Sequence, residues 1–144
     1  VRIVIDTSVL TAALRSGTGA SSDLLELMFN GKITLCMDYK LACEYREVAM
    51  RPAQREASNL SLEEAERFIL RLEQFAEAVE VIDRFRPLSI DPSDDMVLDV
   101  AINGRVDAIV THNLKHLRDA GSRFGVRVTT PGAFLKRLAK EEME

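Results

Sequence analysis

With 144 residues, 47% of them hydrophobic and 29% charged, the chain is long enough for one domain with a core and too short for two ordinary ones. A net charge of -4 excludes a global pull toward phosphate backbones, so any nucleic-acid contact has to be local. No apolar run approaches the roughly 18 residues of a membrane span, and no charged-then-apolar leader precedes the first strand, so a soluble cytoplasmic protein without a membrane partner is expected.

The opening "VRIVIDTSVL" reads as a strand over 2–6 that ends on Asp6, with the hydroxyls of Thr7 and Ser8 next. Helical segments follow over 8–15 and 20–29, then a strand over 33–36 and a helix over 38–50. Within "KLACEYREVAM", Leu41, Tyr45, Val48 and Ala49 form the expected buried stripe, Glu44 borders it and Glu47 points away. In "SLEEAERFILRLEQFAEAV", Leu62, Ala65, Phe68, Ile69, Leu72, Phe75, Ala76 and Val79 recur at helical spacing, and Ser61 with Glu64 makes a capping box.

A short strand is expected over 79–82, a helix over 92–103 and strands over 107–111 and 126–129. Asp91 before Pro92 reads as a helix cap, and Thr130 before Pro131 reads as the cap of the last helix. Cys36 and Cys43 lie in different elements without metal-ligand spacing and are taken as small core residues. No repeat or low-complexity tract interrupts the chain, so residues 1–144 are expected to fold as one domain. Strands alternating with helices imply a three-layer α/β/α sandwich around a mainly parallel sheet.

Ligands of such sheets bind beyond the carboxyl ends of the strands. Asp6 stands at one such end, and Thr111 and Asn113 follow another, "DAIVT". They meet if the two strands are neighbours. On its own, Asp6 fits a helix N-cap as well as a functional acid. In "SIDPSDDMVLDVAI", Asp94 continues the stripe of Val97, Leu98 and Ala101, where a carboxylate needs a partner such as a cation. Asp95 and Asp99 form a like-charged pair one turn apart, read as a solvated acidic face, most clearly for Asp99.

Several carboxylates without His or Cys ligands suit hard divalent cations, Mg²⁺ or Mn²⁺, and these serve phosphoryl chemistry by activating water and neutralising phosphate charge. A glycosidase pair is weaker, since so small a chain leaves little room for a sugar cleft. His112 and His116 in "THNLKHL" have no nucleophile elbow beside them, and no phosphate-cradling glycine loop occurs. Basic candidates for local RNA contact are Arg15, Lys40, Arg46, Arg51, Arg55, Arg105 and Lys115, although dispersed basic residues are more often ordinary solvated surface.

Taken together, "VIDTSVLTAAL", "ACEYREVAMRP", "DPSDDMVLDVAINGRVDAIVTHNLKHL" and "GVRVTTPGAFL" resemble a PIN domain over essentially the whole chain. Within that family the sequence is similar to the VapC-like ribonucleases, toxin components of bacterial and archaeal toxin–antitoxin systems. The resemblance implies a metal-dependent endoribonuclease with Mg²⁺ or Mn²⁺ in an acidic pocket, a small antitoxin partner and a homodimer. Met28, Phe29, Phe68 or Phe75 are candidate dimer contacts, although such residues are more often core.

Carried over by position, the catalytic residues are Asp6, Glu44, Asp94 and Asn113. The metal ligands are Asp6, Asp94 and Glu44, with Asp95 as the neighbouring possibility, while Thr7, Ser8 and Thr111 position water or a phosphate oxygen. Many members carry an aspartate where this chain has Asn113, which removes one negative charge. Two rival readings are a catalytically weak binding module and a housekeeping RNA-processing nuclease. Replacing Asp6 is expected to abolish cleavage and leave a folded protein.

Overall fold

A computed structural model describes residues 1–82 and 92–143. Its strands are β1 (Arg2–Ile5), β2 (Thr34–Met37), β3 (Glu77–Ala78), β4 (Ala108–Val110) and β5 (Arg127–Thr129). They form one sheet in the order β3-β2-β1-β4-β5 with every pair parallel. Successive residues of a strand face opposite sides, and Ile3, Val4 and Ile5 are all buried, so both faces of β1 are covered. The same holds for Leu35, Cys36 and Met37 in β2 and for Ala108, Ile109 and Val110 in β4. This is the expected α/β/α sandwich.

The described helices are α1 (Thr7–Arg15), α2 (Ala20–Phe29), α3 (Tyr39–Met50), α4 (Pro52–Ser58), α5 (Leu62–Phe75), α6 (Pro92–Gly104), α7 (Leu114–Arg123) and α8 (Pro131–Glu142). From β1 the chain steps outward through β2 to β3, then returns to the other side of β1 for β4 and β5. The reversal lies between β1 and β4, which pair Ile3 with Ala108, Val4 with Ile109 and Ile5 with Val110. Asp6 and Thr111 therefore stand side by side at the crevice where such sheets bind ligands.

Local chemistry explains most boundaries. Ser61 accepts from the Glu64 backbone N–H and the Glu64 carboxylate accepts from the Ser61 N–H, both at 3.1 Å, completing the capping box of α5. Thr130 caps α8 through the Ala133 N–H, with Pro131 in its first turn. The α5 stripe does not run on to Val79: the helix stops at Phe75 and Ala76 turns extended. The chain then pairs with β2 two residues earlier than expected, Cys36 opposite Glu77 and Met37 opposite Ala78.

Helices α4 and α7 add to the elements expected from the sequence. Pro52 opens α4 and Asn59 closes it in the left-handed region at φ 55°. In α7 only Leu117, Ala120 and Gly121 are buried, a short stripe in a polar segment. Gly121 is there because α7 lies almost on the chain leading into β5. A Cβ at that position would meet Val128 Cγ2 at 2.5 Å and the Val126 carbonyl at 2.9 Å.

Burial corrects several expectations. Asp95 and Asp99 are not a solvated face: they are 5% and 0% exposed. Helix α6 packs on β1, β2 and β4 and against α3 and α7, so it is enclosed on more than one side. Cys36 is core, but Cys43 is exposed, because it lies two residues from both Leu41 and Tyr45 and so faces away from their stripe. Leu62 and Phe75, at the two ends of α5, are 54% and 48% exposed. Phe75 still meets the Phe29 ring edge-on at 5.7 Å, and Phe29 meets Phe68 at 6.1 Å. Met28 is buried. The expected cap at Asp91 lies outside the described residues.

Candidate active site

The site begins where β1 hands over to α1. The Asp6 N–H donates to the Val110 carbonyl at 3.0 Å, which extends the ladder to β4 by one residue. Its side chain then caps α1: Oδ1 accepts from the Thr7 N–H at 2.8 Å. Oδ2 accepts from two hydroxyls, Ser8 Oγ at 2.9 Å and Thr111 Oγ1 at 2.8 Å. Each hydroxyl is itself held by a backbone N–H of the loop after β4. His112 N–H donates to Ser8 Oγ at 3.1 Å, and Asn113 N–H donates to Thr111 Oγ1 at 2.9 Å.

This fixes the direction of both hydroxyl protons toward Asp6. A carboxylate has about four acceptor directions, and three are filled here. The direction left to Asp6 is on Oδ1. Capping α1 therefore does not use up the Asp6 carboxylate, and the cap reading does not compete with a ligand role.

Asp6, Thr7, Ser8, Glu44, Asp94 and Asn113 line one polar cavity of about 450 Å³, together with Thr11, Val48, Arg51 and His116. Asp94 comes from the first turn of α6 and is 4% exposed. Glu44 reaches in from α3 beside the buried Tyr45 and Val48. The Tyr45 hydroxyl donates to the Ile5 carbonyl at 2.5 Å. Burial, with the Asp6 charge adding, holds that phenol well above its ordinary pKa, so it remains a donor bracing α3 against β1. Asn113 stands at the N-cap position of α7 without using its side chain as a cap.

Two candidates fall outside the cavity wall. Thr111 is fully buried behind Asp6, so it positions Asp6 and the Asn113 backbone rather than water or phosphate. Asp95 is buried and absent from the described lining. Thr11, Arg51 and His116 join the wall beyond the residues the sequence suggests. Arg51 was visible as a basic candidate, and His116 through its place one turn beyond Asn113. Arg51 holds Glu47 in a forked pair at 3.0 and 2.9 Å. Arg15 and Arg46 are engaged with Gln54 and with Glu66 and Glu73.

A larger cavity of about 520 Å³ lies beyond β2, but its wall is mostly apolar, and of its charged members Arg46 and Glu73 pair with each other while Asp38 caps α3 through the Leu41 N–H. It offers no comparable chemistry.

A family model of the PIN domain matches residues 2–115. The chain belongs to the PIN domain family. No curated protein matches it. The match runs from β1 into the first residues of α7 and so includes every residue of the polar cavity except His116. PIN domains are generally nucleases, which makes the fold that of a hydrolase family.

The donor set of this PIN domain bears on whether a cation fits. Carboxylate and amide oxygens from Asp6, Glu44, Asp94 and Asn113 are hard donors, suited to Mg²⁺ or Mn²⁺. Among the described residues no three His, Cys, Asp or Glu side chains close on one point, so the wall does not form a zinc-type cage. Ions that keep several waters and take one or two carboxylates need no such cage. The chemistry of the wall fits them.

Proposed function

We propose that this PIN domain is an endoribonuclease that hydrolyses RNA phosphodiester bonds with Mg²⁺ or Mn²⁺ in the cavity beyond β1 and β4. One observation carries the reading: carboxylates from three separate elements, Asp6 after β1, Glu44 on α3 and Asp94 on α6, line a single polar cavity at the point where the sheet reverses. Asp6, through Oδ1, and Asp94 would hold the cation, with Glu44 binding directly or through water. When bound, the cation supplies an activated water and neutralises charge on the phosphodiester.

The remaining work falls to the chain itself. Thr7 and the Asn113 amide orient water or a phosphate oxygen at the wall, Ser8, whose proton goes to Asp6, accepts from water, and Thr111 fixes the Asp6 carboxylate from behind. With a net charge of -4, attraction to RNA has to come from the cation and from local basic residues such as Lys115 and Arg118. A single-stranded or looped RNA suits an open pocket of this size, because its backbone and bases can be splayed into it. The likeness to VapC-like toxins extends the reading to a toxin held by a small antitoxin and acting as a homodimer. Phe75 is the most open of the four candidate dimer residues.

A second reading, a PIN-fold binding module with weak catalysis, is favoured by Asn113 standing where an acid would add a negative charge. The two separate in one assay of the purified chain on mixed RNA. Cleavage supported by Mn²⁺ or Mg²⁺, stopped by EDTA and lost in Asp94→Asn is the expected outcome. RNA binding without cleavage under all metal conditions would favour the module.

A further inference from the structure

We propose that His116 is a nitrogen ligand to the cation of this site and shifts its preference from Mg²⁺ toward Mn²⁺ and other transition metals. The inference rests on the metal site proposed above and concerns which ion that site selects. His116 Nδ1 lies 3.6 Å from Asp94 Oδ2, and both side chains line the same cavity. That separation is too long for a hydrogen bond. It is close to the spacing of two ligands on one ion, which for bonds of about 2.1 Å is about 3.0 Å at a right angle and about 3.4 Å at the tetrahedral angle.

Position supports the same assignment. His116 sits in the first turn of α7, its N–H donating to the Asn113 carbonyl at 3.1 Å, so the loop that places Asn113 also places the imidazole. Where Asn113 gives the site an amide in place of a carboxylate, His116 adds a different donor one turn on. Its side chain is 60% exposed while that of Asp94 is 6% exposed, so the pair spans from the buried wall to the open mouth. As a mere ion pair at that exposure it would contribute little. His116 beside Asp94 and Asp6, with waters completing the shell, is an arrangement Mn²⁺ accepts without a closed cage. Imidazole is a poorer partner for Mg²⁺ than for Mn²⁺, Co²⁺ or Ni²⁺.

The test titrates the full chain with Mn²⁺ and with Mg²⁺ by calorimetry and records pulsed EPR spectra of the Mn²⁺-loaded protein. The wild type, His116→Ala and Asp94→Asn are compared. Expected are a loss of Mn²⁺ affinity of about 10–100-fold in His116→Ala, a change in Mg²⁺ affinity below about threefold, and nitrogen modulation present in the wild type and absent from His116→Ala. Unchanged Mn²⁺ affinity in His116→Ala with binding lost in Asp94→Asn would overturn the role of His116 and leave the metal site standing. Wild-type chain that binds neither ion, or Asp94→Asn that binds as the wild type does, would overturn the metal site itself and this inference with it.

Discussion

Replacing Asp6 by asparagine is expected to lower RNA cleavage about a thousandfold or more while shifting the melting midpoint by less than about 4 °C. Asparagine caps helices as well as aspartate does, so α1 keeps its start. Its amide oxygen can still take the Thr7 N–H, and its NH₂ can donate to the Ser8 and Thr111 hydroxyls, new bonds that offset the acceptor those two hydroxyl protons lose. What disappears is the negative charge at the centre of the site. Single-turnover cleavage and thermal melting of the same preparation separate the two effects.

Alanine is the worse choice at this position. It removes the cap, at about 0.5–2 kcal/mol, and leaves the buried Thr111 hydroxyl without its acceptor, at about 1–3 kcal/mol. Loss of activity in Asp6→Ala would then mix chemistry with unfolding. The expectation of a folded but inactive protein therefore belongs to the asparagine variant.

Thr111→Val should reduce cleavage about 10–100-fold and destabilise the fold by about 1–3 kcal/mol, although valine has nearly the shape of threonine. The hydroxyl has two tasks, donating to Asp6 Oδ2 and accepting from the Asn113 N–H. Without it, Asp6 is held by Ser8 and Thr7 alone, and a backbone donor at the start of α7 loses its partner. Thr111→Ser keeps the hydroxyl and gives up one methyl group, so it should recover most of the cleavage while losing about 1 kcal/mol of stability. Cleavage in the valine variant equal to that of the wild type would remove Thr111 from the machinery, since it lies too deep to touch RNA directly.

The comparison between Asp94 and Asp99 shows where sequence spacing carries information and where it stops. Asp94 lies on the stripe of Val97, Leu98 and Ala101 and is buried as that spacing implies. Asp99 breaks the stripe and so reads as solvated, yet it is fully buried, because α6 is enclosed by strands and helices on more than one side. Spacing describes one face at a time. It says nothing of a helix that other elements surround.

A similar limit hid α7, where the alternation of Leu117, Ala120 and Gly121 is too short to stand out from "LKHLRDAGSR". The core strands were legible because a parallel strand buried on both faces is simply a run of apolar residues, as in "RIVI" and "AIV". Asp6, Glu44, Asp94 and Asn113 could be chosen in sequence, through likeness to a family and through the question each carboxylate raised. The role of Thr111 could not, because its bond to Asp6 spans 105 residues and depends on β1 and β4 lying side by side. The approach of His116 to Asp94 is hidden too, because it depends on α6 and α7 packing together.

Hydrolysis of RNA in this cavity by water attack with a bound divalent cation is tested most directly by cleavage of a labelled single-stranded RNA in heavy-oxygen water. The wild type and Asp94→Asn, purified identically, are compared with and without EDTA. Heavy oxygen is expected to enter the terminal phosphate of the wild-type products, EDTA to stop cleavage and Asp94→Asn to make no product. Products ending in an unlabelled cyclic phosphate, formed by attack of the neighbouring ribose hydroxyl, or cleavage that continues in EDTA, would contradict it.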